Sequence, residues 1–293
     1  MCGCFEIQAQ SDITDINVDS TKVKKDYSCH LIAGHAIIAA SSLMGLNELW
    51  YKKYPRSSFH FFNDGAEWLQ MDKAGHIFTS YQISRIGHAS MLYAGKNDRF
   101  STWYALGLST SYMTAMEILD GYSTEWGFSL WDFGANTTGA GMFAIQELLW
   151  KEQRIVLKYS YHNTIYPEFN GDLLGTNMAE KIIKDYNGQT YWFSVNPSSF
   201  MKSGNKFPWW LNIAFGYGAE GMIGGHNNQI FIHDLTFQRE RQFYLSPDID
   251  LTKIKTRNKF LEKTLFLLNF VKIPAPAIEI NGSGKSKFHI LYF

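Results

Sequence analysis

Three polar groups interrupt apolar helical sequence between Asp72 and Gly139. The first is Asp72-Lys73-Ala74-Gly75-His76, the second Glu117-Ile118-Leu119-Asp120-Gly121, and the third is Asp132 with Asn136, just after Ser129. Asp72 and His76 are four residues apart and share one helical face. A carboxylate beside an imidazole fixes the ring's tautomer and strengthens it as a base, and the same two groups can ligate a metal. Glu117 and Asp120, three apart, face nearly the same way. Two adjacent carboxylates raise one pKa, which suits acid–base work or a cation site. Asn136, four after Asp132, can orient a carboxylate or bind a polar group of a substrate. Lys73 is expected to point away from the Asp72–His76 face.

Each pair also has a plain reading. Asp72–His76 alone fits a helix-surface ion pair or a structural hydrogen bond. Asp120 with Gly121 fits a helix end. Gly134, Gly139 and Gly141 fit close helix packing with polar residues bonding across helices. Together, three polar pairs on an apolar background within about seventy residues point to one buried centre, because buried carboxylates and imidazoles are costly unless paired or liganded. The candidate catalytic set is Asp72, His76, Glu117, Asp132 and Asn136. The candidate metal set is Asp72, His76, Glu117 and Asp120, with a divalent cation as the implied cofactor.

The elements that must position these groups can be read from the pattern. An apolar helix is expected over 29–51, followed by a loop to Phe62. A second helix is expected from about Ala66 to Tyr93, with Asn63 or Asp64 as N-cap and Gly95 as C-cap. A third covers roughly Thr102–Leu119. A fourth runs from Leu130 to Trp150, capped by Ser129, and extends toward Leu157. None is an uninterrupted apolar stretch of about 20 residues, because each carries polar residues near its middle. Beyond about residue 185 the period changes to two. Tyr191–Val195, Leu211–Glu220, Phe243–Leu251, Ile278–Ile280 and Phe288–Phe293 read as strands, with a helical stretch at Asn258–Val271. The aromatic terminal strand is similar to those of outer-membrane barrels, but five or six strands are fewer than the eight of the smallest barrels. A small sheet or partial barrel is expected.

Composition narrows the function class. Of 293 residues, 45% are hydrophobic and 16% aromatic, but only 18% are charged, with zero formal net charge. No basic field exists to hold a polyanion, so nucleic acid is excluded as a partner. The low charge suits an envelope or membrane-associated protein. Cys2, Cys4 and Cys29 form no metal-ligand or disulfide framework. Met1–Gln10 resembles the end of a secretory signal, and Gly3-Cys4 also fits the end of a lipoprotein signal. Trp209-Trp210 and Tyr191-Trp192 fit either an interfacial aromatic belt or core packing.

Residues 66–160 resemble the YfiM-like family of predicted periplasmic lipoproteins of unknown function. The matching residues are Met71–His76, Glu117–Gly121, Gly127-Phe128-Ser129, Asp132, Asn136 and Gly139. The same order resembles VanZ-like membrane proteins more loosely, with Asp120 where that pattern often has Gln. The resemblance implies an envelope protein and supplies no reaction. A fainter resemblance of Gly75-His76 and Ser84-Arg85-Ile86-Gly87-His88 to lipid-phosphate phosphatases lacks that family's spacing and its leading basic motif.

The expected architecture is α+β. Residues 1–28 are a signal remnant or lead-in. Residues 29–160 are a bundle of about four helices with a polar centre, and 161–293 a β-rich region. The expected role is that of an exported cell-envelope protein, in the periplasm or outer membrane. Its polar cluster organises the bundle or binds a small polar ligand or cation. The alternative is a membrane-proximal hydrolase or transferase acting on a lipid or cell-wall precursor, with Asp72 orienting His76 as base. Membrane or envelope components are the expected partners. A third reading, a barrel-associated assembly partner, expects an exposed apolar belt on the C-terminal strands.

Overall fold

The computed structural model describes residues 26–49, 52, 54–202, 204, 206–228 and 237–293. The signal-like segment with Cys2 and Cys4, and the expected helix end at Tyr51, lie outside the described residues. In chain order the elements are α1 (Ser28–Leu49), β1 (Phe61–Phe62), α2 (Met71–Tyr93), α3 (Asp98–Asp120), β2 (Phe128–Ser129), α4 (Leu130–Trp150) and β3 (Ile155–Tyr161). There follow α5 (Gly171–Leu174), α6 (Met178–Lys184), β4 (Gln189–Val195), β5 (Leu211–Glu220), β6 (Glu240–Ile249), α7 (Lys259–Leu268), β7 (Ala275–Asn281) and β8 (Ser286–Tyr292). The mixed helix-and-sheet class is as expected.

Helices α2, α3 and α4 pack on one another, and small residues let them approach. Ser80 Oγ sits 2.8 Å from Ser109 Oγ and donates to Asn136 O at 2.6 Å, which joins all three helices at one level. A Cβ on Gly139 would lie 2.1 Å from Ile77 O, so only glycine fits the α2–α4 crossing. Gly134 and Gly141 have no such neighbour, and the packing role expected of all three belongs to Gly139. Helix α1 is peripheral, reaching α3 through His35–Tyr104 and Ser42–Tyr112. Although polar residues interrupt it as expected, α1 is by length and composition long and apolar enough to cross a membrane. Its scattered serines and histidines do not offset its aliphatic residues.

Helix α3 starts at Asp98, four residues before the expected Thr102, on its Asn97 cap, and α7 ends at Leu268, short of the expected Val271. The start of α2 and the end of α4 differ from expectation for local reasons. Trp68, Leu69 and Gln70 have φ of 48°, 50° and 64°, a left-handed run that L-residues disfavour by about 1–2 kcal/mol each. It is held by Trp68 N–H to Gly225 O at 2.8 Å, by Arg241 to Gln70 Oε1 at 2.6 Å and by the Tyr217 hydroxyl on Leu69 O. Helix α2 therefore starts at Met71, and Asp64 is free for another role. Helix α4 does start at its Ser129 cap, whose Oγ accepts from Asp132 N–H at 3.1 Å. It stops at Trp150 because Lys151 turns left-handed (φ 57°). The expected extension to Leu157 is instead strand β3, whose first residue is fixed by the Gln146 side chain through Ile155 N–H at 2.8 Å.

Strands β3 to β8 form a six-stranded antiparallel sheet in consecutive order. Helix α2 packs on its β3–β4 end, with Phe78 against Tyr159 and Tyr191 and Tyr81 in a core with Phe143, Val156 and Leu157. The sheet departs from the usual pattern of apolar inside and polar outside: its enclosed face is mixed and its other face is apolar. Its enclosed face holds Trp192, Tyr244 and Tyr292, but also a Lys158–Asp248 ion pair at 2.8 Å with both side chains fully buried. Its other face carries Phe193, Phe215, Leu245, Ile278 and Phe288, in register across five strands and all exposed. The expected apolar belt on the C-terminal strands is present.

Candidate functional site

The first turn of α2, the last turn of α3 and the first turn of α4 meet at one point. Glu117 reaches it from α3, and Asp132 and Asn136 from α4. His76, one turn into α2, lies at the centre. Its Nδ1 is 3.0 Å from Asn136 Oδ1 and 3.4 Å from Glu117 Oε1. Its Nε2 is 3.7 Å from Asp72 Oδ1 and 3.7 Å from Asp132 Oδ1. Asn136 donates from Nδ2 to Glu117 Oε1 at 3.1 Å, so its amide oxygen is the end that accepts the His76 Nδ1 proton. In the neutral ring that leaves Nε2 as the basic nitrogen, on the side of Asp72 and Asp132. All five expected catalytic candidates are thus brought together.

Lys73 is the correction. Its Nζ lies 2.7 Å from Asp64, 2.8 Å from Asp72 and 2.7 Å from Asp132. Adjacent positions diverge at Cβ, but the long lysine stem carries its ammonium back across the helix start to a carboxylate from each side. Two more participants have no local signature in the sequence. Asp64, expected as a helix cap, instead accepts from Ser129 Oγ and pairs with Lys73. Tyr186 donates to Asp72 Oδ1 at 2.7 Å from 114 residues away.

The acids fall into two electrostatic kinds. Burial pushes Asp72 up, but the facing His76 and Lys73 charges and the Lys73 and Tyr186 hydrogen bonds outweigh it and hold the group below its ordinary value. Asp64 is likewise lowered against burial, by hydrogen bonds from Asp132, Lys73 and Ser129. Glu117 is pushed up to about 8, by burial first and then by the nearby Asp132 and Asp120 charges. Asp132 is also raised, by burial, the Asp72 charge and its hydrogen bond to Asp64. The lowered and the raised acids meet at Lys73, whose ammonium faces Asp64, Asp72 and Asp132.

A metal would find its ligands in Asp72, His76 and Asp132, whose ligand atoms all lie within 4.8 Å of one another. This differs from the expected set. Glu117 faces the opposite nitrogen of His76, and Asp120 stands on the pocket wall. The same carboxylates already hold the Lys73 ammonium, so a divalent ion has to displace an internal cation.

Of the cluster, Asp64, Asp72, His76, Asp132 and Tyr186 line a pocket of about 530 Å³. Six acidic side chains line it: Asp64, Glu67, Asp72, Asp120, Asp132 and Asp172. Much of the rest is apolar or aromatic, with Trp68, Phe78, Tyr112, Met113, Met116 and Trp126. The second histidine considered from sequence, His88, stands apart from this cluster, bonded to Asp98 at 3.0 Å. Arg85 is committed to Gln82 and to Phe266 O at 2.7 Å. No phosphate-binding pair forms there.

No curated protein and no solved structure matches the chain. Residues 59–147 match a family model, and that segment contains Asp64, Asp72, Lys73, His76, Glu117, Asp132 and Asn136. Over these residues the chain is similar to the family described as predicted periplasmic lipoprotein (DUF2279), a family of unknown function, and it is a protein of the cell envelope.

Proposed function

We propose that this envelope protein binds a small amphiphile with a cationic head in the pocket beside His76, the head on the acidic side chains and the apolar body against Trp126, Met113 and Met116. The observation that carries the reading is the pocket's mixed lining: six acidic side chains share it with Trp68, Trp126, Met113 and Met116. An organising network alone would be closed, its members satisfied by one another. This cluster borders an open space of ligand size. The finer architecture belongs to the same reading: a helical bundle built around a polar centre, with α1 at its edge, whose core network presents Asp72 and His76 to the ligand.

A second reading rests on His76. With Nδ1 fixed by Asn136 and Nε2 beside Asp72 and Asp132, the ring has the arrangement of a general base on a pocket wall. In that reading the protein is a hydrolase or transferase acting on a lipid or cell-wall precursor.

Tryptophan fluorescence of the full chain, titrated with dodecylammonium and with dodecanoate, tests the binding reading. The ammonium compound is expected to bind about tenfold or more tightly, because only its head is drawn to the acidic side chains. Equal responses to both would overturn it.

A further inference from the structure

We propose that α7 and the segment leading into it form a docking surface for an anionic lipid bilayer. Residues 253–263 carry five basic residues, Lys253, Lys255, Arg257, Lys259 and Lys263, against one acid, Glu262, in a chain of zero net charge. Lys253 is used internally, bonded to Glu152 and Ser199. The other four are exposed.

Helix α7 presents a second, apolar stripe to the outside. Phe260, Leu261, Leu267 and Leu268 recur at helical spacing and are all exposed, Phe260 by 78%. The opposite side holds the helix on the protein, where Phe266 lies 4.3 Å under the Arg85 guanidinium and Asn269 is buried. The exposed stripe is therefore not the packing face turned out. Trp209 and Trp210 stand beside this segment. Trp209 Nε1 donates to Lys253 O at 3.3 Å, and Lys255 Nζ lies 5.9 Å over the Trp209 ring. Of the two aromatic pairs weighed from sequence, Trp192 is core, and Trp209-Trp210 is exposed.

Exposed aliphatic and aromatic side chains flanked by lysine, with tryptophan at the margin, are what the headgroup–acyl boundary accepts. An acidic protein partner would satisfy the lysines but leave Phe260, Leu267 and Leu268 in water. An apolar partner would leave the lysines unopposed. An anionic bilayer meets both. The inference is independent of the pocket, since α7's exposed residues do not line it.

The test uses the full chain with its cysteines replaced by serine, Phe260→Cys carrying an environment-sensitive fluorophore, and vesicles of phosphatidylcholine with or without phosphatidylglycerol. The expected result is a blue-shifted emission only with phosphatidylglycerol, reversed by high salt. The triple variant Lys255→Glu, Lys259→Glu, Lys263→Glu is expected to bind on the order of tenfold more weakly or worse. A label that stays in water while the chain floats with vesicles would overturn the proposal, because another segment then makes the attachment. A blue shift without vesicles that grows with protein concentration would also overturn it, and would assign the surface to a second copy of the chain.

Discussion

Lys73 Nζ lies 2.7 Å from Asp132 Oδ1, and this contact ties the first turn of α2 to the first turn of α4. The ammonium is an internal counter-ion for a site that would otherwise be a cluster of buried acids. It binds Asp64 and Asp72 as well, so removing it leaves negative charges without a partner.

Lys73→Met is expected to cost about 3–5 kcal/mol, as for breaking a buried ion pair from one side. Asp72→Asn should also be costly, because Asp72 carries its charge in the folded protein. Asp132→Asn should stay within about 1 kcal/mol of wild type at neutral pH, because burial and the Asp72 charge raise Asp132 toward its neutral form and an amide can donate in its place. Urea unfolding of the three variants checks the order.

Stability is expected to fall as pH rises from about 4.5 toward 8, in part through Glu117. Its unfolded carboxyl loses a proton near 4.5, whereas the folded one keeps it to about 8. Within that window the folded state binds more protons, so the stabilisation is complete below the window and lost as pH climbs through it. Glu117→Gln should match wild type at the acid end and exceed it at pH 8 by a few kcal/mol, on the order set by the shift. Asp132, raised in the same direction, leaves a residual slope of the same sign. Thermal melts across pH decide it.

Gly139→Ala is expected to destabilise by roughly 1–3 kcal/mol, since the added methyl meets the Ile77 carbonyl at 2.1 Å and forces α2 from α4. Gly134→Ala, in open space on the same helix, should instead stabilise by up to about 1 kcal/mol. Equal effects would contradict the close crossing.

Divalent cations should not raise the melting temperature of the wild type, and chelators should not lower it, while Lys73 holds the carboxylates. In Lys73→Ala, the Asp72–His76–Asp132 trio is released, and manganese or zinc is expected to recover part of the lost stability. Stabilisation of the wild type by micromolar metal would show that the ion displaces the lysine.

What was legible in the sequence follows from which interactions are local. Asp72 and His76, or Asp132 and Asn136, sit at spacing four on one helix, so their shared face is visible in the chain. Strands β5 and β6 were visible through alternation, and β4, β7 and β8 as short apolar or aromatic runs. Strand β3 was not, because Ile155, Val156 and Leu157 are consecutive apolar residues facing both helix and sheet interior, and such a run has no period to separate it from a helix. Asp64 and Tyr186 join through the fold alone, and the reach of Lys73 depends on its stem rather than on its position. Alternation located β5 and β6 but could not say which face is enclosed. Here the face that mixes aromatic side chains with the Lys158–Asp248 pair is inside.

Photo-crosslinking with an alkylammonium probe bearing a diazirine in its chain, mapped by mass spectrometry, tests the central claim most directly. The account predicts crosslinks in the segment from Met113 to Trp126, which lines the pocket, and their loss in Asp72→Asn and in competition with unlabelled dodecylammonium. Crosslinks confined to α1 or to the exposed sheet face around Phe215, unchanged by Asp72→Asn, would contradict it.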